Sequence, residues 1–486
     1  MTRVRNHATL ALAGMAAALA LIGAPAVARE RVITVQTPPA PGPAQFNQVT
    51  VHQFGPASGK RVLVLMPGTQ GGAGDFTLDA RYLVKRVPGL QVWAIDRRTQ
   101  ALEDTATFAA AERGEVSLQQ AFDYYLNFGG FHFRGADEDP YAREWGMGVA
   151  LDDAHAVVQL ARRHGRRQVV LGGHSLGASL TAAYAAWDFD GRPGYKDLAG
   201  LVLIDGGLLG SFDAYNLAQA QQAVADLQTS NPFLDLLGIG LPEAAGLFAE
   251  IGGLYAEKEP TASATTLQSY PLLPAQFNPP FPVTNRALFG YAFDRDSSPP
   301  DLSLLHINGG ALAPSGNPRD WADGGVTPVS RLAATFGQEP TNAVEWYFPT
   351  RLTIDTNGAD QMTQNDVANF LGLRLTHTRK VNLPLYAIGT DLAGAHVLDG
   401  ARNLIRRSKI TRRNSMLVNR NPLFSHLDPL TAAPRANGFL KTVVPFLDCR
   451  VSPRTARNRT TRACKPASRS RSSARRRSTR SGRTAS

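Results

Sequence analysis

Gln168-Val169-Val170-Leu171-Gly172-Gly173-His174-Ser175-Leu176-Gly177-Ala178 is the stretch of this 486-residue chain on which its fold turns. Gln168 to Leu171 fits a strand, and the small apolar residues from Leu176 to Trp187 fit a buried helix. Between them stands Ser175, with Gly173 two residues before it and Gly177 two residues after, the Gly-x-Ser-x-Gly spacing of a nucleophile elbow. The spacing has a steric reason. A Ser on a tight strand-to-helix turn leaves no room for Cβ atoms two positions away on either side. The following helix points the positive end of its dipole at negative charge developing beside the Ser.

The flanking sequence repeats the strand-helix rhythm. Arg61 to Met66 is an almost wholly apolar run stopped by Pro67-Gly68, Leu90 to Ile95 is another that ends at Asp96, and Gly148 to Arg163 carries apolar residues at helical spacing. Asn47 to Gln53 alternates as a strand does, and Leu201 to Ile204 is a further strand ending in Asp205. Strands alternating with helices predict an α/β fold with a mostly parallel sheet and helices on both faces. From Gly206 to about Lys380 the rhythm breaks. Helix-like pieces over Phe212 to Gln228 and Ala244 to Glu257 give way to a Pro- and Asn-rich region, and this reads as an insertion. Sheet rhythm resumes at Leu383 to Ile388, followed by a helix-like Ala393 to Arg407 and a last segment, Phe439 to Phe446.

The ends of the chain differ from its middle. Arg3 and Arg5, an Ala/Leu-rich run from Ala8 to Ile22 and Pro25-Ala26-Val27-Ala28 form the three-part pattern of a secretory signal peptide cut after Ala28; an uncleaved anchor is the alternative. No later segment has 18 consecutive apolar residues, so no transmembrane segment is expected after cleavage, and a secreted or cell-envelope location is. Thr37 to Pro43 is Pro-rich and reads as an extended lead-in, with order starting near Gln48. The formal charge is +11, but residues 450–486 hold 12 Arg and one Lys with no acid, which leaves the rest at −2. This tail is expected to be disordered. Its arginines suit an anionic cell-envelope polymer, or a solvated tail with no partner; without aromatics to stack bases it does not suit nucleic acid. Cys449 and Cys464, the two cysteines of the chain, both lie at this end and are placed to close a small loop in an oxidising compartment. The expected organisation is therefore 1–28 signal peptide, 29–47 lead-in, 48–210 and 381–448 the two parts of the core, 211–380 a cap insertion, and 449–486 the tail.

His174-Ser175-Leu176-Gly177, placed between strand and helix, resembles the α/β-hydrolase family, and its lipase- and esterase-like members in particular. The resemblance covers about 48–210 and 381–448. It implies a Ser-acid-His triad in chain order, with the acid after a late strand and the His on a loop after the last. Ser175 is the nucleophile it points to, Asp391 follows the strand Leu383 to Ile388 through Gly389-Thr390, and His426 lies in Phe424-Ser425-His426-Leu427. Asp205 is a rival acid, at a strand end that some members use, and His396 a rival base. The oxyanion donors implied are the backbone N–H groups of Leu176 and Thr69, the latter in Pro67-Gly68-Thr69-Gln70-Gly71-Gly72, with Gln70 the alternative. Family members commonly carry His where this chain has Pro67. Asp96 reads as structural. The other histidines show no metal-ligand spacing, and no phosphate-binding or dinucleotide fingerprint occurs, so no metal and no cofactor are expected. The expected activity is cleavage of carboxylic esters, lipid or otherwise hydrophobic, through an acyl-enzyme, the insertion forming a cap over the site. A peptidase or acyltransferase on the same fold, or a non-catalytic envelope-binding protein acting through the tail, is the alternative.

Overall fold

A computed structural model describes residues 30–127, 129–211, 213–337, 343–392 and 396–451. The signal-like segment 1–28, Cys464 and the Arg-rich tail beyond Val451 lie outside the described residues.

The core is an eight-stranded sheet of β1 (Arg31–Gln36), β2 (Gln48–Phe54), β3 (Arg61–Met66), β4 (Leu90–Asp96), β5 (Gln168–His174), β6 (Gly200–Ile204), β7 (Leu385–Gly389) and β8 (Ser415–Asn419). Their order across the sheet is β1-β2-β4-β3-β5-β6-β7-β8. β2 runs antiparallel to both neighbours, and every other pairing is parallel. The apolar strands are apolar because both faces are covered. On β3, Val62 and Val64 join one buried cluster with the helices α1 (Met147–Arg162) and α2 (Leu176–Ala186), while Leu63 and Leu65 join another on the opposite face with α3 (Gly438–Cys449). This is the period of two of a strand, and each such buried side chain contributes roughly 1.5–3 kcal/mol.

Two expectations are corrected. Order begins well before Gln48, because Arg31–Gln36 pairs along its whole length with β2, and the Pro-rich stretch after it folds back to pack on Tyr141 and Trp145. The segment Phe439 to Phe446 lies in the helix α3, and β8, half-buried at the far edge with three apolar residues between Ser415 and Asn419, escapes a reading by hydrophobicity. The insertion is also not one cap. Residues 244–337 and 343–347 roof the sheet together with 106–127 and 129–145 from the β4–β5 connection, sharing a third apolar cluster that includes Phe122, Leu247, Phe289 and Trp346, whereas Ala220 and Leu227 pack with the sheet. Beyond them Leu352, Met362 and Leu371 return to the cluster that holds Leu171 in the sheet. Among the described residues, no helix is long and apolar enough to cross a membrane.

Candidate active site at the end of the central strand

Ser175 sits between β5 and α2 with φ 54° and ψ −124°, a conformation that L residues rarely adopt and that costs of order 1–3 kcal/mol. The surroundings hold it there. Its N–H donates to Ile204 O at 2.9 Å, and a Cβ on Gly173 would lie 2.2 Å from Gly177 C. A Cβ on Gly206, which the sequence reading had not singled out, would lie 2.0 Å from Ser175 O. The elbow therefore needs glycine in the neighbouring β6 turn as well as in its own.

His426 turns Nδ1 to Asp205 Oδ2 at 2.5 Å, both side chains being essentially inaccessible to water. Asp205 also accepts from Thr390 N at 2.7 Å and from the Thr390 hydroxyl. Burial pushes the Asp205 carboxyl up, but the hydrogen bond and charge of His426, with the two bonds from Thr390, outweigh it and hold the carboxyl below its ordinary value. The expected acid, Asp391, is elsewhere. Its carboxylate accepts from Ser425 Oγ at 2.9 Å and faces Arg295 Nη1 at 3.5 Å, and its side chain is 29% exposed. The reason is the length of the turn: Thr390, the residue directly after β7, occupies the place beside Asp205, and the next residue is carried outward to the rim. Asp391 thus braces the loop of His426 without touching the imidazole. His396 is exposed at the start of its helix.

The Nε2 of His426 is buried and has no hydrogen-bond partner among the described residues. It lies in the wall of the same cavity as Ser175. No hydrogen bond joins the two, a separation common before substrate binds. His174, one residue before Ser175, was not anticipated as a site residue. Its ring lies 4.3 Å from that of His426, and its Nε2 is 3.0 Å from the His426 carbonyl oxygen, so a neutral His174 donates to that backbone. Burial pushes the His174 imidazole down to about 3, helped by the neighbouring His426. A neutral ring is what the pair requires when His426 takes up a proton. The depressed value has a consequence for stability. The unfolded chain binds this proton near pH 6.5 and the folded one only near 3, so His174 contributes fully above 6.5 and the contribution is lost as pH falls toward 3. The stability advantage of wild type over His174→Gln should shrink by up to about 1.4 kcal/mol per pH unit below 6.5. Denaturant unfolding of both proteins at pH 7 and pH 5 checks this; a difference independent of pH would contradict it.

The loop after β3 faces Ser175 across the cavity, with Thr69 and Gln70 in the wall and Gln70 left-handed at φ 51°. The N–H groups of Thr69, Gln70 and Leu176 have no acceptor among the described residues. For Leu176 this follows from its place as the first residue of α2, where no intrahelical acceptor exists. Thr69 and Gln70 line the cavity with Ser175, and Leu176 follows Ser175 as the first residue of α2. The cavity measures about 1220 Å³ counted out to its mouth, and its remaining wall is almost wholly apolar. Ala245, Ala249 and Gly252, spaced along one face of the helix Ala244–Lys258, leave it room, and Phe289, Phe293 and Phe336 close the far side.

No family model matches the chain, and no curated protein is similar to it in sequence. Solved structures are similar to it in three dimensions. A Sulfolobus solfataricus protein aligns over 86% of this chain and 93% of its own at 14% identity and a TM-score of 0.48. An epoxide hydrolase from an endophytic Streptomyces aligns over 87% and 96% at 11% identity and 0.43. A monoglyceride lipase from Saccharomyces cerevisiae, in a soluble variant with a substrate analogue, aligns over 86% and 95% at 10% identity and 0.39. In strand order, in the serine elbow after the central strand and in the loop that faces it from β3, this chain has the α/β-hydrolase fold.

Proposed function

We propose that the chain is an exported serine hydrolase that cleaves carboxylic esters with a hydrophobic acyl part. One observation carries the reading: Ser175, strained at its elbow, shares an apolar cavity with the unpartnered Nε2 of a His426 whose other nitrogen is held by buried Asp205. In this reading His426 Nε2 takes the Ser175 proton as Oγ attacks the ester carbonyl, and Asp205 fixes the tautomer and stabilises the imidazolium. The Leu176 and Thr69 N–H groups receive the charge on the carbonyl oxygen. The imidazolium then protonates the leaving alcohol, and a water activated by the same nitrogen releases the acid from Ser175. The apolar walls favour the acyl chain, because each methylene taken from water gains about 0.8 kcal/mol. The signal-like N-terminus supports export, and the Arg-rich tail supports retention on an anionic envelope polymer.

The test is intact-mass labelling of the signal-free protein by a fluorophosphonate, beside Ser175→Ala and His426→Ala, with nitrophenyl esters of rising chain length. One adduct, lost in both variants, and a kcat/KM that rises with acyl length over the first several carbons are expected. A wild type that takes no label, under conditions that label a control serine hydrolase, would contradict the reading.

A further inference from the structure

The loop that carries Thr69 is held from behind by a residue outside the triad. Arg97, the first residue beyond β4, reaches it with the guanidinium: Nη2 donates to Pro67 O at 2.5 Å and to Gly68 O at 2.8 Å, and Nη1 faces Gly71 O at 3.4 Å. Arg97 lines a second, smaller cavity on the other side of Pro67 and is absent from the wall of the Ser175 cavity. A trans peptide unit is planar, with its C=O and the following N–H pointing opposite ways. With the Gly68 carbonyl tied to Arg97, the Thr69 N–H must therefore point away from Arg97, toward the cavity that Thr69 lines.

Arg97 is itself fixed by the insertion. Glu345, its side chain wholly buried, accepts from Arg97 Nη1 at 2.5 Å and also takes the hydroxyl of Thr99. The same short segment pairs with the loop: Gly72 N donates to Ala343 O at 3.0 Å and Glu345 N to Gln70 O at 2.9 Å. A buried ion pair is a costly way to gain stability and a good way to fix one arrangement among several. Here it joins the two supports of one six-residue turn.

Resting on the ester-hydrolase reading, we propose that Arg97 is the positioning residue of the oxyanion site and that Glu345 anchors it, so that the insertion completes the catalytic loop as well as roofing the pocket. Arg97 touches no reacting atom. It acts by holding the Thr69 N–H on the line where the carbonyl oxygen gains charge, an interaction stronger in the transition state than with bound ester.

Arg97→Lys keeps the charge and loses the fork that reaches several carbonyls, and Glu345→Gln keeps the shape and loses the ion pair. For wild type and both variants, fluorophosphonate labelling and thermal melts report the folded, reactive fraction. On that fraction kcat and KM are measured with a soluble nitrophenyl ester, beside inhibition by a trifluoromethyl ketone, which adds Ser175 to form a tetrahedral oxyanion. The expected result is a kcat lower by about 10- to 100-fold with KM within about threefold, and ketone affinity weakened in proportion to kcat. A role in packing alone would leave kcat and ketone affinity per folded molecule unchanged, and that result overturns the proposal. Should Arg97→Lys not fold, Glu345→Gln decides by the same criteria. A wild type that takes no label removes the hydrolase reading and this inference with it, whereas a labelled wild type beside variants of unchanged kcat removes this inference alone.

Discussion

Asp205→Asn is expected to lower kcat/KM for a soluble ester by about 10³- to 10⁴-fold, while Asp391→Asn stays within about threefold of wild type. The two carboxylates follow neighbouring parallel strands, yet only one meets the imidazole: Asp205 Oδ2 lies 2.5 Å from His426 Nδ1, and Asp391 binds Ser425 and Arg295 at the rim. An amide at 205 keeps the shape and removes the charge that stabilises the imidazolium, and its NH₂ can force the wrong tautomer. An amide at 391 still offers Ser425 an oxygen. Steady-state kinetics on both variants, with melts to show that each is folded, make the comparison. Equal losses in the two, or a larger loss at 391, would return the acid to the residue after Thr390.

Gly177→Ala should cost about 3 kcal/mol of stability and most of the fluorophosphonate reactivity. In an open helix the same change gains about 1 kcal/mol, because Ala is the better helix former. At this position the sign reverses. A Cβ on Gly177 would lie 2.0 Å from Met66 O and 2.6 Å from Pro67 O, against the end of β3 and the start of the loop that carries Thr69. Relief requires α2 to move off the sheet, and Ser175 and the Leu176 N–H move with it. Urea unfolding measures the first effect and the labelling rate the second. A variant as stable and as reactive as wild type would mean that the helix and β3 are less closely apposed than these distances imply.

What was legible in the sequence is what local pattern determines. β3, β4, β5 and β6 are apolar because both faces are covered, and Gly173-x-Ser175-x-Gly177 has its spacing because of backbone crowding, so both were readable without coordinates. Ser175 and His426, singled out from the elbow and from chain order, line one cavity. Which carboxylate meets His426 was not legible, because the choice between Asp205 and Asp391 depends on whether a turn places its first or its second residue inward, and here Thr390 takes the inward place. β1 and β8 are half exposed and carry little hydrophobic signal. Arg97 and Glu345 are 248 residues apart, and nothing local joins them. The share of the roof that comes from the β4–β5 connection was hidden for the same reason, since Phe122 and Phe289 meet in one cluster from opposite sides of the elbow in the chain.

β1 begins three residues after the expected cut at Ala28 and covers β2 from Gln48 to Gln53. A truncation begun at Gln48, where hydrophobic alternation first becomes plain, would strip that cover and make β2, buried along most of its length, the edge in place of the largely exposed β1. Such an edge invites a second molecule to add its own strand. Arg31–Gln36 is therefore the guard of β2 against self-association, and any shortened or tagged version of the chain has to preserve it.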